Sequence, residues 1–417
     1  MESAAEWTFL LYCGTIDNTF SFSTKELEKL LADAVISSRV NFVYEISRPD
    51  STERGRVRSG DDNDGAPVAE PLAKGPPLDT AAADAITAFI DWATRVFPSR
   101  YTALIFKDHA SASILPPPCS ARHSRSWLAP TAAAQAHRLR RGSDLGVILA
   151  DGKTNRSVSD RELRTIVENT RLGHVDVYAF DACSMSTVEV AYEIRNVASF
   201  MVASELYIGD SAFPYACALS ACSTESHVGP RRVARKLAPK PKHVRDARLI
   251  AVELAWMDKL AEQLDDVAGH LSALLAKHFA TMAAMREGLS KFPYVVEFDL
   301  AQVLAHCRSE LVTSSVGQIR DEIMREAFAK AIKQAESTLE RSWSGTAPLL
   351  DTACGLGIFF PAVNGVPDMI SYGGLAFPQR TRWGRFLAEF CYQDAIAAAG
   401  ATNRSEGNAP SGKSEEK

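Results

Sequence analysis

Six short, mostly apolar segments punctuate the first half of this chain, at residues 7–12, 40–46, 101–108, 145–150, 175–180 and 198–204. In the first of them, Trp-Thr-Phe-Leu-Leu-Tyr, apolar side chains fall on both faces of the pleat instead of alternating with polar ones. A strand of that kind is satisfied only in a sheet covered on both sides, the setting of parallel strands joined by crossover helices. Helical patterns lie between the segments. Ser23-Thr24-Lys25-Glu26 and Ser159-Asp160-Arg161-Glu162 have the Ser-x-x-Glu form of a capping box and open helices to about residues 35 and 169. Residues 80–96 are apolar at helical spacing, and Ser186-Thr187-Val188-Glu189 marks a further helix start. The alternation predicts an α/β fold, a mainly parallel sheet with helices on both faces.

A chain of 417 residues can bury a large core and suits one α/β domain with an appendage. Residues 1–228 are expected to form the core, with loop insertions at 48–80, rich in Asp, Gly, Pro and Arg, and at 111–143, rich in Pro, Ala, Ser and Arg. Residues 229–248 read as a basic, proline-containing linker. Residues 249–398 read as a helical extension, with amphipathic helices at 249–289 and 316–342 and a late strand at 355–360 returning to the core. Residues 399–417 are polar and read as a disordered tail.

Charge narrows the range of partners. With 23% charged residues and a net charge of −5, overall charge points to neither a nucleic acid nor a membrane surface. No apolar run approaches the roughly 20 residues that span a bilayer. Glu2 and Glu6, with no Lys or Arg before the first strand, fit neither a signal peptide nor an arginine-rich transit peptide. The eight cysteines, at 13, 119, 183, 217, 222, 307, 354 and 391, form neither zinc-type pairs nor a dense disulfide frame. An intracellular setting, cytoplasmic or organellar, is the expectation. No compact cluster of oxygen-bearing side chains suggests a metal, and no cofactor is expected.

The reactive candidates sit at strand ends. Cys183 stands three residues beyond the 175–180 strand and just before the helix start at residue 186, near the positive end of a helix dipole, a position that favours a thiolate. Asp181 lies two residues before it. His109 follows the 101–108 strand, and two parallel strands ending in reactive residues present both at one edge of a sheet, where chemistry collects in open α/β folds. His123, His137 and His174 lack an apolar strand ending at them. A Cys/His pair supplies a nucleophile and a general acid able to protonate a leaving amine.

These residues resemble the clostripain-like cysteine peptidases, relatives of the caspases. The blocks that match, in the family's order, are residues 7–12 with Asp17-Asn18; Leu104-Ile105-Phe106-Lys107-Asp108-His109; Phe180-Asp181-Ala182-Cys183-Ser184-Met185; Met201-Val202-Ala203-Ser204-Glu205; and Gly355-Leu356-Gly357-Ile358-Phe359-Phe360-Pro361 with Trp383. The resemblance implies a caspase-like αβα sandwich with additional C-terminal helices, a Cys183/His109 dyad, and hydrolysis after Arg or Lys through a thioester. It implies that Asp181 and Asp210 shape a cation-accepting pocket, and that the backbone N–H groups of Cys183 and Ala110 hold the oxyanion. The family usually follows its histidine with glycines; Ala110-Ser111-Ala112 stand here, which implies weak or unusual turnover. Self-processing in the loop between histidine and cysteine is a family habit, and Arg138, Arg140 and Arg141 offer sites for it. Some members use calcium. The alanine- and arginine-rich insertions are similar to those of kinetoplastid members. A caspase-like scaffold that binds proteins without turnover is the alternative. A flavodoxin-like small-molecule binder is weaker, because no glycine-rich phosphate loop follows the first strand.

Overall fold

The computed structural model describes residues 5–14, 22–60, 65–108, 110–111, 147–151, 156–205, 208, 213–239, 249–289, 297–314, 318–342, 354–361 and 369–406. In chain order its strands are β1 (Ala5–Gly14), β2 (Val40–Ser47), β3 (Thr52–Ser59), β4 (Pro67–Gly75), β5 (Ser99–Lys107), β6 (Ala110–Ser111), β7 (Val147–Asp151), β8 (Arg156–Val158), β9 (Val175–Asp181), β10 (Ala198–Ser204), β11 (Leu249–Glu253), β12 (Glu297–Asp299) and β13 (Gly357–Phe359). Eight of them form one sheet in the order β11-β10-β9-β5-β1-β2-β3-β4.

The five strands from β10 to β2 run parallel. Successive residues of β1 enter opposite layers, as a pleat requires. Leu10 and Tyr12 join a core with the helices Ala83–Val96, Asp160–Glu168, Val188–Ile194 and Met257–Gly288. Trp7, Phe9, Leu11 and Cys13 join a second core with the helices Thr24–Leu31, Tyr215–Thr224 and Pro230–Leu237. The chain is therefore an αβα sandwich around a mainly parallel sheet. Ser23 and Ser159 cap their helices as the sequence pattern predicts, with Glu162 closing the second box.

Several expectations about connections are corrected. Residues 48–80 are not simply a loop: β3 and β4 form an antiparallel edge hairpin on β2. Many of their charges pair with one another or with β2, even where they stay exposed. Arg54 Nε donates to Glu45 Oε2 at 2.6 Å, Tyr44 OH donates to Glu53 at 3.2 Å, and Arg56 Nε lies 2.9 Å from Glu70. Arg54 also covers the Trp92 ring at 4.7 Å. Cross-strand pairs of this kind make a strand from a polar sequence. Gly55 sits at a bulge where a Cβ would meet Glu70 O and Tyr44 OH at 2.5 Å.

The basic segment at 229–248 is no linker over its first part. Residues Pro230–Leu237 form a helix, with Pro230 at its start and Val233, Ala234 and Leu237 buried. Its cations are held by acids at its edges: Arg231 donates to Glu253 and Arg232 to Glu225. Residues 249–253, expected to begin a helix, are β11, antiparallel to β10, because Leu-Ile-Ala-Val-Glu is a run better suited to a buried edge strand. The helical extension thus starts inside the core sheet, and its long helix begins at Met257. Of segment 145–150, the residues from Val147 on belong to β7, but in a separate three-stranded sheet with β6 and β8. The 316–342 pattern forms the helix Glu322–Ser342. The helix Trp383–Glu406 continues past residue 399, into the segment expected to be disordered. Of the insertion at 111–143, only Ser111 lies within the described residues, at the end of β6.

Candidate active site

The site is built on the adjacent parallel strands β5 and β9, whose last paired residues are Lys107 and Asp181. Both strands lie mid-sheet, with β1 on one side and β10 on the other. Two residues beyond Asp181 comes Cys183; two beyond Lys107 comes His109, which lies outside the described residues. Its neighbours are described. Asp108 is buried, with Oδ2 so near the end of β1 that a Cβ on Gly14 would meet it at 2.8 Å. Ala110 opens β6 opposite Ile148.

Cys183 is half-buried and packs against the apolar layer that includes Ile208, Phe213 and Tyr215. The Ile208 N–H donates to its sulfur at 3.4 Å, a contact that a thiolate accepts more strongly than a thiol. Ser184 follows with φ +52°, a left-handed turn directly after the sulfur-bearing residue. Most other described cysteines are set apart by burial. Desolvation pushes the Cys222 and Cys307 thiols up to about 12, and those of Cys13 and Cys354 well above the usual range. Cys217 is exposed on the helix Tyr215–Thr224.

The helix after Cys183 starts one residue later than its sequence pattern predicts. Thr187, not Ser186, is the N-cap and accepts the Val190 N–H at 3.2 Å. Ser186 instead donates through Oγ to Gly355 O at 2.7 Å, while its carbonyl accepts the Gly357 N–H at 2.8 Å. Glu189 is likewise diverted: its Oε1 accepts the Phe359 N–H at 3.1 Å and the Tyr372 hydroxyl at 2.9 Å. The cysteine loop and its helix are therefore tied to the C-terminal segment. Cys183 stands five residues before the first helical residue, Val188, so the dipole acts on it across a loop and not from the same turn.

Asp181, expected to face a substrate, is engaged internally. Lys107 Nζ lies 2.7 Å from its Oδ2 and the Tyr215 hydroxyl donates to the same oxygen at 2.6 Å. Only 3% and 1% of the Lys107 and Asp181 side chains are exposed. Sequence reading missed this pair, although a lysine in a strand buried on both faces must find an acid, and the neighbouring strand ends in one. Asp108 and Glu205, directly after β5 and β10, are also buried. Asp210, Arg138, Arg140, Arg141, His123 and His137 lie outside the described residues. His174 is exposed just before β9, at the edge opposite Cys183, with Nε2 3.4 Å from Ser199 Oγ. Among the described residues there is no group of three or more His, Cys, Asp or Glu side chains that could hold a metal ion.

A caspase-like sandwich with a half-buried thiol at the carboxyl edge of its central strands defines the class of cysteine peptidases. Comparison with known proteins agrees. The sequence profile of the clostripain family, peptidase C11, matches residues 149–389, more than half of the chain. The chain belongs to the clostripain family and is a cysteine peptidase. The match contains Cys183 and begins after His109. Among solved structures, the fold is similar to that of iotapain, a secreted C11 cysteine protease from Bacteroides thetaiotaomicron, at a TM-score of 0.60 and 15% identity, covering 91% of this chain and 100% of that one. A secreted C11 protease from the same species in complex with an irreversible peptide inhibitor aligns at 0.60 and 14% identity, covering 91% and 99%. An inactive zymogen C11 protease from Parabacteroides distasonis gives the same TM-score, identity and coverages. No curated protein matches the chain significantly.

Proposed function

We propose that the chain is an endopeptidase in which Cys183 is the nucleophile and His109 the acid/base. One observation carries this reading: Lys107 and Asp181 are register partners on adjacent parallel strands, so the segments that lead on to His109 and Cys183 leave the sheet at the same edge. His109 takes the thiol proton, and the Cys183 thiolate attacks the carbonyl carbon of the scissile bond. Backbone N–H groups of Cys183 and Ala110 receive the developing oxyanion. The amine leaves with a proton from His109, giving a thioester. Water, deprotonated by His109, then attacks the thioester, and the thiol regains its proton as the acid departs.

Cleavage after Arg or Lys is part of the proposal. It is supported by the carboxylates at three neighbouring strand ends, Asp108, Asp181 and Glu205, against the single lysine Lys107 among the described residues there. With Asp181 engaged by Lys107, selection of a cation falls to the other acids, Asp210 included. Self-processing at Arg138, Arg140 or Arg141 is proposed with it. So is an intracellular setting, supported by eight cysteines scattered along the chain without the spacing of a dense disulfide frame.

The test is hydrolysis of fluorogenic peptides ending in Arg or Lys. The wild-type protein is expected to cleave them, and Cys183→Ala and His109→Ala to lose at least about a thousandfold in kcat/KM. Chelation with EDTA is expected to leave the rate unchanged. Equal turnover by wild type and Cys183→Ala would remove the catalytic assignment. For self-processing, intact-mass analysis should show fragments ending at those arginines in wild type and none in Cys183→Ala.

A further inference from the structure

We propose that Lys107 is a specificity-determining residue, an internal cation seated where a basic substrate side chain would otherwise meet Asp181. The inference rests on the peptidase reading above and deepens it. Asp181 Oδ2 already accepts from Lys107 at 2.7 Å and Tyr215 at 2.6 Å. The Lys107 ammonium also lies 5.2 Å from the centroid of the Phe22 ring, so its seat is built on more than one side. Its strand register places it beside Asp181 on β9 and opposite Cys13 on β1, within the sheet and not on a mobile surface. Asp181 ends β9 two residues before Cys183, which keeps the paired carboxylate close along the chain to the reactive sulfur.

The electrostatic consequence is direct. A guanidinium brought to Asp181 would come into contact with the Lys107 ammonium, and the attraction of one would be cancelled by the repulsion of the other. Asp181 is therefore compensated, and what preference the enzyme has for a basic residue is carried by other acids. Lys107 lowers that preference. Removing its charge while keeping an unbranched apolar stem frees Asp181 to pair with substrate.

Two fluorogenic peptides differing only at the residue before the cleaved bond, arginine in one and its uncharged isostere citrulline in the other, isolate charge. The quantity read is the ratio of their kcat/KM values. Lys107→Met is expected to raise the Arg/citrulline ratio by about tenfold or more. The double variant Lys107→Met with Asp181→Asn, which removes both charges, is expected to keep the wild-type ratio within about twofold. An unchanged or lower ratio in Lys107→Met overturns the proposal. So does a double variant whose ratio collapses, since that would show Asp181 serving the substrate despite its lysine. If Lys107→Met does not fold, as judged by its thermal midpoint, the neutral double variant decides alone, because replacing both members of a buried pair is tolerated where removing one is not. Failure of wild type to hydrolyse either peptide fails the reading of cleavage after basic residues and this proposal with it; hydrolysis with the wrong ratios fails the proposal only.

Discussion

Ser184 takes a left-handed backbone conformation, φ +52°, while buried directly after Cys183. Such a conformation costs an L-residue about 1–2 kcal/mol, and strain of this kind is kept where a reactive group must be aimed. Ser184→Gly relieves the strain and should leave kcat/KM within about threefold of wild type. Ser184→Val puts a β-branched side chain at positive φ and should cost a further ~1–2 kcal/mol of stability with a marked loss of turnover. Denaturation midpoints and peptide hydrolysis check both, and a fully active, equally stable Ser184→Val would show that the turn is not needed. Cys183 itself is legible in the chain because its neighbours are: an apolar strand ending in an acid, then a helix signal. The role of Asp181 is not. Whether a carboxylate faces substrate or a lysine depends on which strand lies beside it, and local sequence is silent on that.

At the scale of elements, the sequence was misread most where charge was taken for solvation. The helix Pro230–Leu237 and the hairpin of β3 and β4 are rich in charge, yet the helix buries Val233, Ala234 and Leu237, and β3 buries Thr52, Glu53, Gly55 and Val57. Their cations meet acids distant in sequence, as Arg231 does in Glu253 and Arg54 in Glu45. A test follows for the helix. Val233 is fully buried between it and the sheet, so Val233→Asp should destabilise the protein by about 3 kcal/mol or more, through an unpaired buried charge. In a solvated linker the same change would be within about 0.5 kcal/mol of neutral, and chemical denaturation separates the outcomes. The parallel strands, by contrast, were readable. Runs apolar on both faces have one stable home, and the capping serines Ser23 and Ser159 mark helix starts by a bond made within four residues.

Across the whole molecule, buried carboxylates set the pH response. Burial raises Glu45, Asp176, Glu189, Glu193, Asp299 and Glu336 above the ordinary carboxylate range. Fewer described carboxylates go the other way: hydrogen bonds from Arg232 and Lys259 lower the exposed Glu225 and Glu262, and Arg382 lowers Asp265 against its partial burial. For a raised carboxyl the folded state holds its proton more tightly than the unfolded state. Its contribution is complete at pH values below the unfolded pKa and is lost as pH rises through the folded value. His270, lowered by burial, opposes this in part, since its contribution is complete above the ordinary value of about 6.5 and is lost as pH falls through the lower folded value. The thermal midpoint should therefore fall as pH rises from about 4.5, the ordinary carboxylate value, through the raised folded values, and a steady rise over that interval would contradict the dominance of the buried acids. Several of these acids also join distant parts of the chain. Glu189 holds Phe359 and Tyr372, and Asp299 Oδ2 accepts the N–H groups of Cys354 and Gly355 at 2.7 and 2.8 Å. Sequence by itself determined the sandwich, the parallel strands and the place of the thiol, because periodicity, burial on both faces and helix caps are short-range properties. Only the tertiary structure decided that Asp181 belongs to Lys107, that Glu189 anchors the C-terminal segment and does not close a cap, and that polar stretches are part of the fold. Each of these depends on a partner brought close by the fold, and pairing across space leaves no mark in local sequence.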